Sequence, residues 1–271
     1  MQDESRKIVV VCGPTACGKS ARAIERAARE NGVVINADSQ QIYKNLPVLT
    51  ACPTAEDMAA TPHKLYMFAD DTEQMDAEKY ALLAAREIEQ AFADGKTPIL
   101  TGGTGFYIKA LTHGLSPIPE VPTIRNATFE ELQTCDLALA KVIKPGDSQR
   151  INRAVAVFRA TSRPLSYFQS LPLERPIQAD FELEIMDMPI EMLETRIALR
   201  LDQMIAQGVV EEVEKLACPP DAPIWRVIGA TAIREHLDGN LSLEEMKAQI
   251  FLETRQYAKR QRTFFRTQLK G

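Results

Sequence analysis

Gly13-Pro-Thr-Ala-Cys-Gly-Lys-Ser20 carries the spacing G-x-x-x-x-G-K-[ST]. A loop of this kind turns successive backbone N–H groups toward an anion, and the helix that follows adds its dipole. The eight residues Gly13, Pro14, Thr15, Ala16, Cys17, Gly18, Lys19 and Ser20 are therefore expected to bind phosphate. Lys19 supplies a point charge for phosphate oxygens, and the Ser20 hydroxyl can hold Mg2+. The loop does not by itself specify a nucleoside triphosphate. Hydrolysing enzymes of this kind usually end a later strand in an acid that helps hold the metal. The candidate strand here ends Pro98-Ile-Leu-Thr101-Gly-Gly, with no acid.

An acid follows a different strand, in Asn36-Ala-Asp38-Ser39-Gln40-Gln41. A carboxylate at the carboxyl edge of an α/β sheet, close to a diphosphate but not needed for a metal, can act as a general base. The same position also suits an ordinary loop aspartate or an outer partner of a metal. Arg196 and Arg200 lie four apart on one predicted helix, which is also the ordinary spacing of a solvated pair. Gly102-Gly103-Thr104-Gly105 after a strand fits either a close backbone approach to a ligand or a tight turn.

The elements that would position these residues follow from periodicity. Residues 8–12 are a continuous apolar run, β-branched from Ile8 to Val11, the mark of a buried parallel strand. A helix is expected over 21–30, a strand over 33–36, a further strand over 65–69, a helix over 76–93 and a strand over 98–101. Strand and helix alternate at lengths that imply right-handed crossovers and a parallel sheet. Prolines and short helical pieces then replace the pattern, so 116–176 reads as a helical insertion. A strand over 182–188 and a long helix over 190–216, with Gly208 as a break, resume it. Ser242-x-x-Glu245 is a capping box that opens a last helix reaching about Phe265. The expected fold is α/β: a phosphate-loop parallel sheet flanked by helices, built from 1–115 and 177–271, with 116–176 inserted.

Composition narrows the class. The chain has 271 residues, 45% hydrophobic and 25% charged, as globular domains do. No uncharged apolar run approaches the roughly 18 residues of a membrane span, and the polar start lacks a secretory core. The chain is read as cytoplasmic, without a membrane partner, and monomeric. Its five cysteines have irregular spacing and no C-x-x-C, and its three histidines lie far apart, so neither a disulfide framework nor a zinc site is expected. Net charge is −5, unevenly spread. Residues 255–271 hold six basic residues and no acid, and 141–163 hold six against Asp147. Two basic stretches on an otherwise acidic body fit either a polyanion footprint or two solvated helix faces.

These blocks, in order and spacing, resemble the tRNA dimethylallyltransferase family. The resemblance runs through Gly13–Ser20, Ala37-Asp38-Ser39-Gln40-Gln41-Ile-Tyr43, Pro62-His63 and Pro98-Ile-Leu-Thr-Gly-Gly-Thr-Gly-Phe-Tyr107. It continues through Asp147-Ser-Gln149-Arg150-Ile-Asn-Arg153, Arg196-Ile-Ala-Leu-Arg200, Val227-Ile-Gly229 and Thr254-Arg255-Gln-Tyr-Ala-Lys259-Arg260-Gln261. The resemblance implies transfer of a dimethylallyl group from dimethylallyl diphosphate to N6 of adenosine 37 in tRNA. It makes Asp38, Thr15 and Arg200 catalytic, with Mg2+ at Ser20. It assigns tRNA contacts to Asp38, Ser39, Gln40, Gln41, Thr104, Arg125, Gln149, Arg150, Arg153, Arg226 and Gly229, and the basic stretch adds Lys259 and Arg260. The sequence departs from the family's pattern at Cys52, where a lysine is usual, at Ala230 for a tyrosine, and at Phe264 for a tryptophan. The insertion is also shorter than usual.

Overall fold

Ile8, Val9, Val10, Val11 and Cys12 are all wholly inaccessible to solvent, as a strand covered on both faces must be. The computed structural model describes residues 6–269; the polar residues 1–5 and Lys270 of the terminal basic stretch lie outside the described residues. The elements run β1 (Lys7–Cys12), α1 (Lys19–Arg29), β2 (Gly32–Asn36), α2 (Pro47–Thr50), α3 (Ala55–Ala60), β3 (His63–Lys64), α4 (Ala77–Ala93), β4 (Thr97–Gly102) and α5 (Gly105–Thr112). Next come α6 (Phe129–Cys135), α7 (Leu137–Ala140), α8 (Ser148–Thr161) and α9 (Leu165–Gln169). The chain then forms β5 (Asp180–Ile185), α10 (Ile190–Ala206), α11 (Val209–Glu214), a 3-10 turn (Pro223–Arg226), α12 (Ala230–Leu237) and α13 (Leu243–Gln268).

All five strands are parallel, in the order β3-β2-β4-β1-β5. β4 lies between β1 and β2, so the loops after these three strands open side by side at the carboxyl edge, where such sheets take ligands. The register keeps the strand ends level: Cys12 pairs with Gly102 and with Ile185, and Asn36 with Thr101. The expected strand over 65–69 is instead β3 at His63–Lys64, paired with Val34 and Ile35. Leu65 and Met67 have φ of 60° and 48°, left-handed values that a strand cannot contain. Gly208, at φ 83°, separates α10 from α11, and the capping box of Ser242 and Glu245 opens α13.

The chain divides into two compact units, His113–Arg175 and the remainder. In the smaller unit, Leu132, Ile151, Val155, Leu165 and Phe168 form a core. Its buried Asp136 accepts the N–H groups of Leu139 and Ser166, and Leu115 and Glu174 exchange backbone bonds at 3.0 and 2.8 Å. In the larger unit, Leu46, Leu49, Leu201, Met204, Ile233, Met246 and Ile250 pack together, fixing α10 and α13 against the chain after β2. All five cysteines are free. No helix among the described residues is long and apolar enough to cross a membrane.

The edge strand β5 carries Glu182 and Glu184 two apart, hence on one face. They meet the basic side of α1. Arg26, only 6% exposed, bonds Glu30 at 2.5 Å and Glu182 and Glu184 at 3.0 Å each, while Arg22 reaches Glu184 at 2.6 Å. Hydrogen bonds from Lys7 and Arg26 hold the Glu182 carboxyl down at about 2. A depressed carboxyl stabilises the fold above its ordinary pKa of 4.5, and that contribution is lost as pH falls toward 2. Thermal melts should therefore show the midpoint dropping across this window. In Arg26→Leu the drop should flatten, and stability at neutral pH should fall by about 1–3 kcal/mol.

Candidate active site

The phosphate loop is bent by residues that could not be replaced freely. A Cβ on Gly13 would lie 2.5 Å from the Met186 carbonyl oxygen, Ala16 has φ 65°, and Gly18 has φ 95° as it opens α1. Cys17 N–H closes the turn onto the Pro14 carbonyl at 3.3 Å. Gly18 at the N-cap has no side chain to bond the first N–H groups of α1. Burial pushes the Cys12 thiol up to about 12 and raises Cys17 as well. Both thiols are therefore neutral packing groups, Cys12 at the end of β1 and Cys17 within the loop.

Asp38 follows β2 and is 6% exposed. Its Oδ1 accepts Gln40 N–H at 3.1 Å, and its Oδ2 accepts Gly103 N–H at 3.2 Å. Asn36 fixes the bend beneath it, accepting Asp38 N–H at 2.8 Å and donating to the Asp38 and Leu65 carbonyls at 3.0 and 2.9 Å. Lys19 Nζ stands 3.9 Å from Asp38 Oδ2. The carboxylate and the loop's lysine thus belong to one site. The glycines after β4 are a close backbone approach: a Cβ on Gly102 would overlap the Ala37 backbone, and one on Gly103 would overlap the Gln261 amide. Ser39 and Thr104 join the two loops, with Ser39 N–H donating to Thr104 Oγ1 at 2.8 Å.

Arg196 is exposed and Arg200 half-buried, and both reach the phosphate loop. Arg196 Nη1 donates to the Ala16 carbonyl at 3.3 Å, and Arg200 Nη1 donates to Thr15 Oγ1 at 3.2 Å. Arg200 Nη2 also donates to the Thr50 carbonyl at 3.0 Å. Burial lowers the Arg200 pKa, and the Asp38 charge opposes that shift. Thr50 is held in place by neighbours: Glu212 accepts the N–H groups of Val48 and Leu49 at 2.7 and 2.8 Å, and Gln41 donates to the Thr50 and Ala51 carbonyls.

These groups line a cavity of about 750 Å³. Its lining joins polar groups, among them Thr15, Lys19, Ser20, Asp38 and Arg200, to apolar ones, among them Val48, Leu49, Leu201, Met204, Val227 and Ile250. Cys52 also lines it, and burial raises its thiol to about 11, so it brings no charge there. No group of three or more His, Cys, Asp or Glu among the described residues could hold a metal. A lone hydroxyl such as Ser20 suits Mg2+ that keeps most of its shell from phosphate oxygens and water.

The remaining candidates are spread out. Arg125, Gln149, Arg150 and Arg153 are exposed on the smaller unit, the last three in the first turns of α8. Arg226, Lys259 and Arg260 are exposed on the larger unit. Gly229 is buried at φ 91° and opens α12, with Leu49 and Ile250 against its Cβ position. Gln40 accepts Ile228 N–H at 2.9 Å, which ties this turn to the Asp38 loop. Some of the basic stretch on α13 is already neutralised, since Arg255 pairs with Glu194 and Arg262 with Asp187. Two site residues escaped the sequence reading. Tyr257 lines the cavity, its phenol raised by burial and by Asp38 despite hydrogen bonds involving Thr104, Gln261 and Ser39. Gln261, 4% exposed, accepts Thr15 N–H and donates to the Gly103 carbonyl. Both fall in the block Thr254–Gln261 that carries the resemblance, and their four-residue spacing on one helix face was a further signal.

The family model described as IPP transferase matches residues 41–268. A tRNA dimethylallyltransferase of Parvibaculum lavamentivorans is 39% identical over an alignment spanning 99% of this chain and 90% of the relative. That of Paramagnetospirillum magneticum is 41% identical over the same shares. Among solved structures, a full-length tRNA isopentenylpyrophosphate transferase from Bacillus halodurans superposes with a TM-score of 0.72 at 30% identity. It covers 97% of this chain and 88% of that one. A eukaryotic dimethylallyltransferase acting on tRNA superposes at 0.84 with 26% identity, covering 98% and 71%. The family model begins after the phosphate loop and Asp38, but the full-length relatives extend across both, and on this evidence the chain belongs to the IPP transferase family of tRNA dimethylallyltransferases.

Proposed function

We propose that this protein transfers the dimethylallyl group of dimethylallyl diphosphate to N6 of adenosine 37 in tRNA, beside the anticodon. The observation that carries the reading is the Asp38 carboxylate standing 3.9 Å from the phosphate-loop lysine on a shared cavity. Family membership supports prenylation of tRNA, and the missing acid after β4 agrees with a donor other than ATP. The diphosphate lies on Lys19 and on the loop's N–H groups other than that of Thr15, with Arg200 and the Thr15 hydroxyl beside it. The five-carbon tail lies along Leu49, Leu201, Met204 and Ile250. The Ser20 hydroxyl would hold Mg2+, which when bound would supply positive charge to the leaving group.

In the reaction the N6–C1 bond forms as the C1–O bond to diphosphate breaks. Negative charge grows on the diphosphate, where Lys19, Arg200 and the helix N-terminus stabilise it. Positive charge grows on the amine, which is a poor nucleophile because its lone pair is delocalised into the ring. Asp38 orients the amine and takes its proton. Reaching N6 requires the nucleotide to leave its stack. Ser39, Gln40, Gln41, Thr104, Arg226 and Gly229 are assigned to the RNA around that base. Lys259 and Arg260 on α13, with Arg125, Gln149, Arg150 and Arg153 on the smaller unit, are assigned to the RNA as well.

Single-turnover transfer from a preformed complex tests the roles. Lys19→Ala should lose about 3 kcal/mol of transition-state stabilisation, roughly 10²-fold in rate. Asp38→Asn should slow transfer by roughly 10²–10⁴-fold with donor binding nearly unchanged. If Asp38→Asn transfers at the parental rate and only Mg2+ or donor affinity falls, Asp38 is not the base. Neutralising Lys259 and Arg260 together should weaken tRNA binding and flatten its dependence on salt, leaving donor affinity unchanged. An unaltered salt series would make that face merely solvated.

A further inference from the structure

Helix α13 has two faces with different surroundings. Lys259, Arg260, Thr263 and Thr267 are exposed. Tyr257, Gln261 and Phe265 recur every four residues and turn inward, with Phe265 1% and Gln261 4% exposed. A primary amide so buried must satisfy both ends. Gln261 does so across two loops: Oε1 accepts Thr15 N–H at 2.8 Å, and Nε2 donates to the Gly103 carbonyl at 2.9 Å. Each partner is one bond from a reacting group. The Thr15 hydroxyl takes Arg200, and Gly103 N–H takes Asp38. The fit is mutual, because a side chain on Gly103 would displace the Gln261 amide.

We infer that Gln261 is a positioning residue for the transfer, setting the phosphate loop and the Asp38 carboxylate at their working separation through Thr15 and Gly103. The inference rests on the proposed prenyl transfer and adds to it a residue that touches neither donor nor acceptor. The Thr15 N–H is committed to Gln261 and so is not spent on the diphosphate. Gln261 therefore contributes geometry rather than donor affinity, and its loss falls on the rate within the complex. Because one of its two bonds acts through Gly103 on Asp38, its effect depends on Asp38 being a base.

The test compares the parent enzyme, Gln261→Leu, Gln261→Glu, Asp38→Asn and the Gln261→Leu/Asp38→Asn double variant. Leucine keeps the size and removes both bonds. Glutamate keeps the acceptor for Thr15 N–H and sets a second acceptor against the Gly103 carbonyl. Unmodified tRNA and dimethylallyl diphosphate are the probes, and rates are normalised to folded, donor-binding sites. In Gln261→Leu, single-turnover transfer should fall on the order of 10²-fold, with KM for the donor little changed. In the double variant the loss should be smaller than the product of the single losses. Should Gln261→Leu not fold, Gln261→Glu carries the same rate comparison and the same cycle. A residue that only packs would lower the melting midpoint, leave the rate per folded site intact and multiply with Asp38→Asn; either of the last two results overturns the inference. A parent that makes no prenylated RNA overturns the functional reading, and this inference with it. An active parent with a fully active Gln261 variant overturns the inference alone.

Discussion

No room exists for a side chain at Gly102 and Gly103, where β4 ends against the chain leaving β2. Gly102 lies against the Ala37 backbone, and Gly103 lies beneath both Asp38 and Gln261. This close approach brings Gly103 N–H to the Asp38 carboxylate and lets Thr104 pair with Ser39. It depends in turn on the strand order, since β4 must lie next to β2 on one side and β1 on the other. The phosphate loop after β1 and the carboxylate after β2 then open onto one cavity.

Within that cavity the charges are held apart by partners rather than by distance. Lys19 and Asp38 are 3.9 Å apart, yet Asp38 has two backbone N–H groups of its own. Arg200 is anchored on the Thr50 carbonyl and the Thr15 hydroxyl, and Thr50 is anchored through Glu212 and Gln41. The cations are thereby placed around the phosphate loop, where charge on a leaving group can be met without rearrangement. Leu201, Met204 and Ile250 of the cavity lining belong to the core that packs α10 and α13 together.

Much of this was legible in the residues. The β-branched run of β1, the phosphate-loop spacing, the break at Gly208 and the capping box of α13 are local signals, and each is found where local chemistry places it. The strand expected over 65–69 failed because Leu65 and Met67 adopt left-handed backbone, which their side chains do not announce. The partners of Arg196 and Arg200 lie some 150 or more residues away in sequence, so a four-residue spacing could not tell a site from a solvated face. Gln261 was hidden for the same reason: amid basic neighbours it reads as surface, and only the fold brings Thr15 and Gly103 to it.

The central claim is that one cavity joins a diphosphate site to a base acting on an RNA amine. The direct measurement gives the purified protein unmodified tRNA, Mg2+, dimethylallyl diphosphate and ATP together, then maps the tRNA by mass after nuclease digestion while following nucleotide turnover. The account predicts a single dimethylallyl addition on the adenosine next to the anticodon, with ATP intact. Turnover of ATP with unaltered tRNA would contradict it.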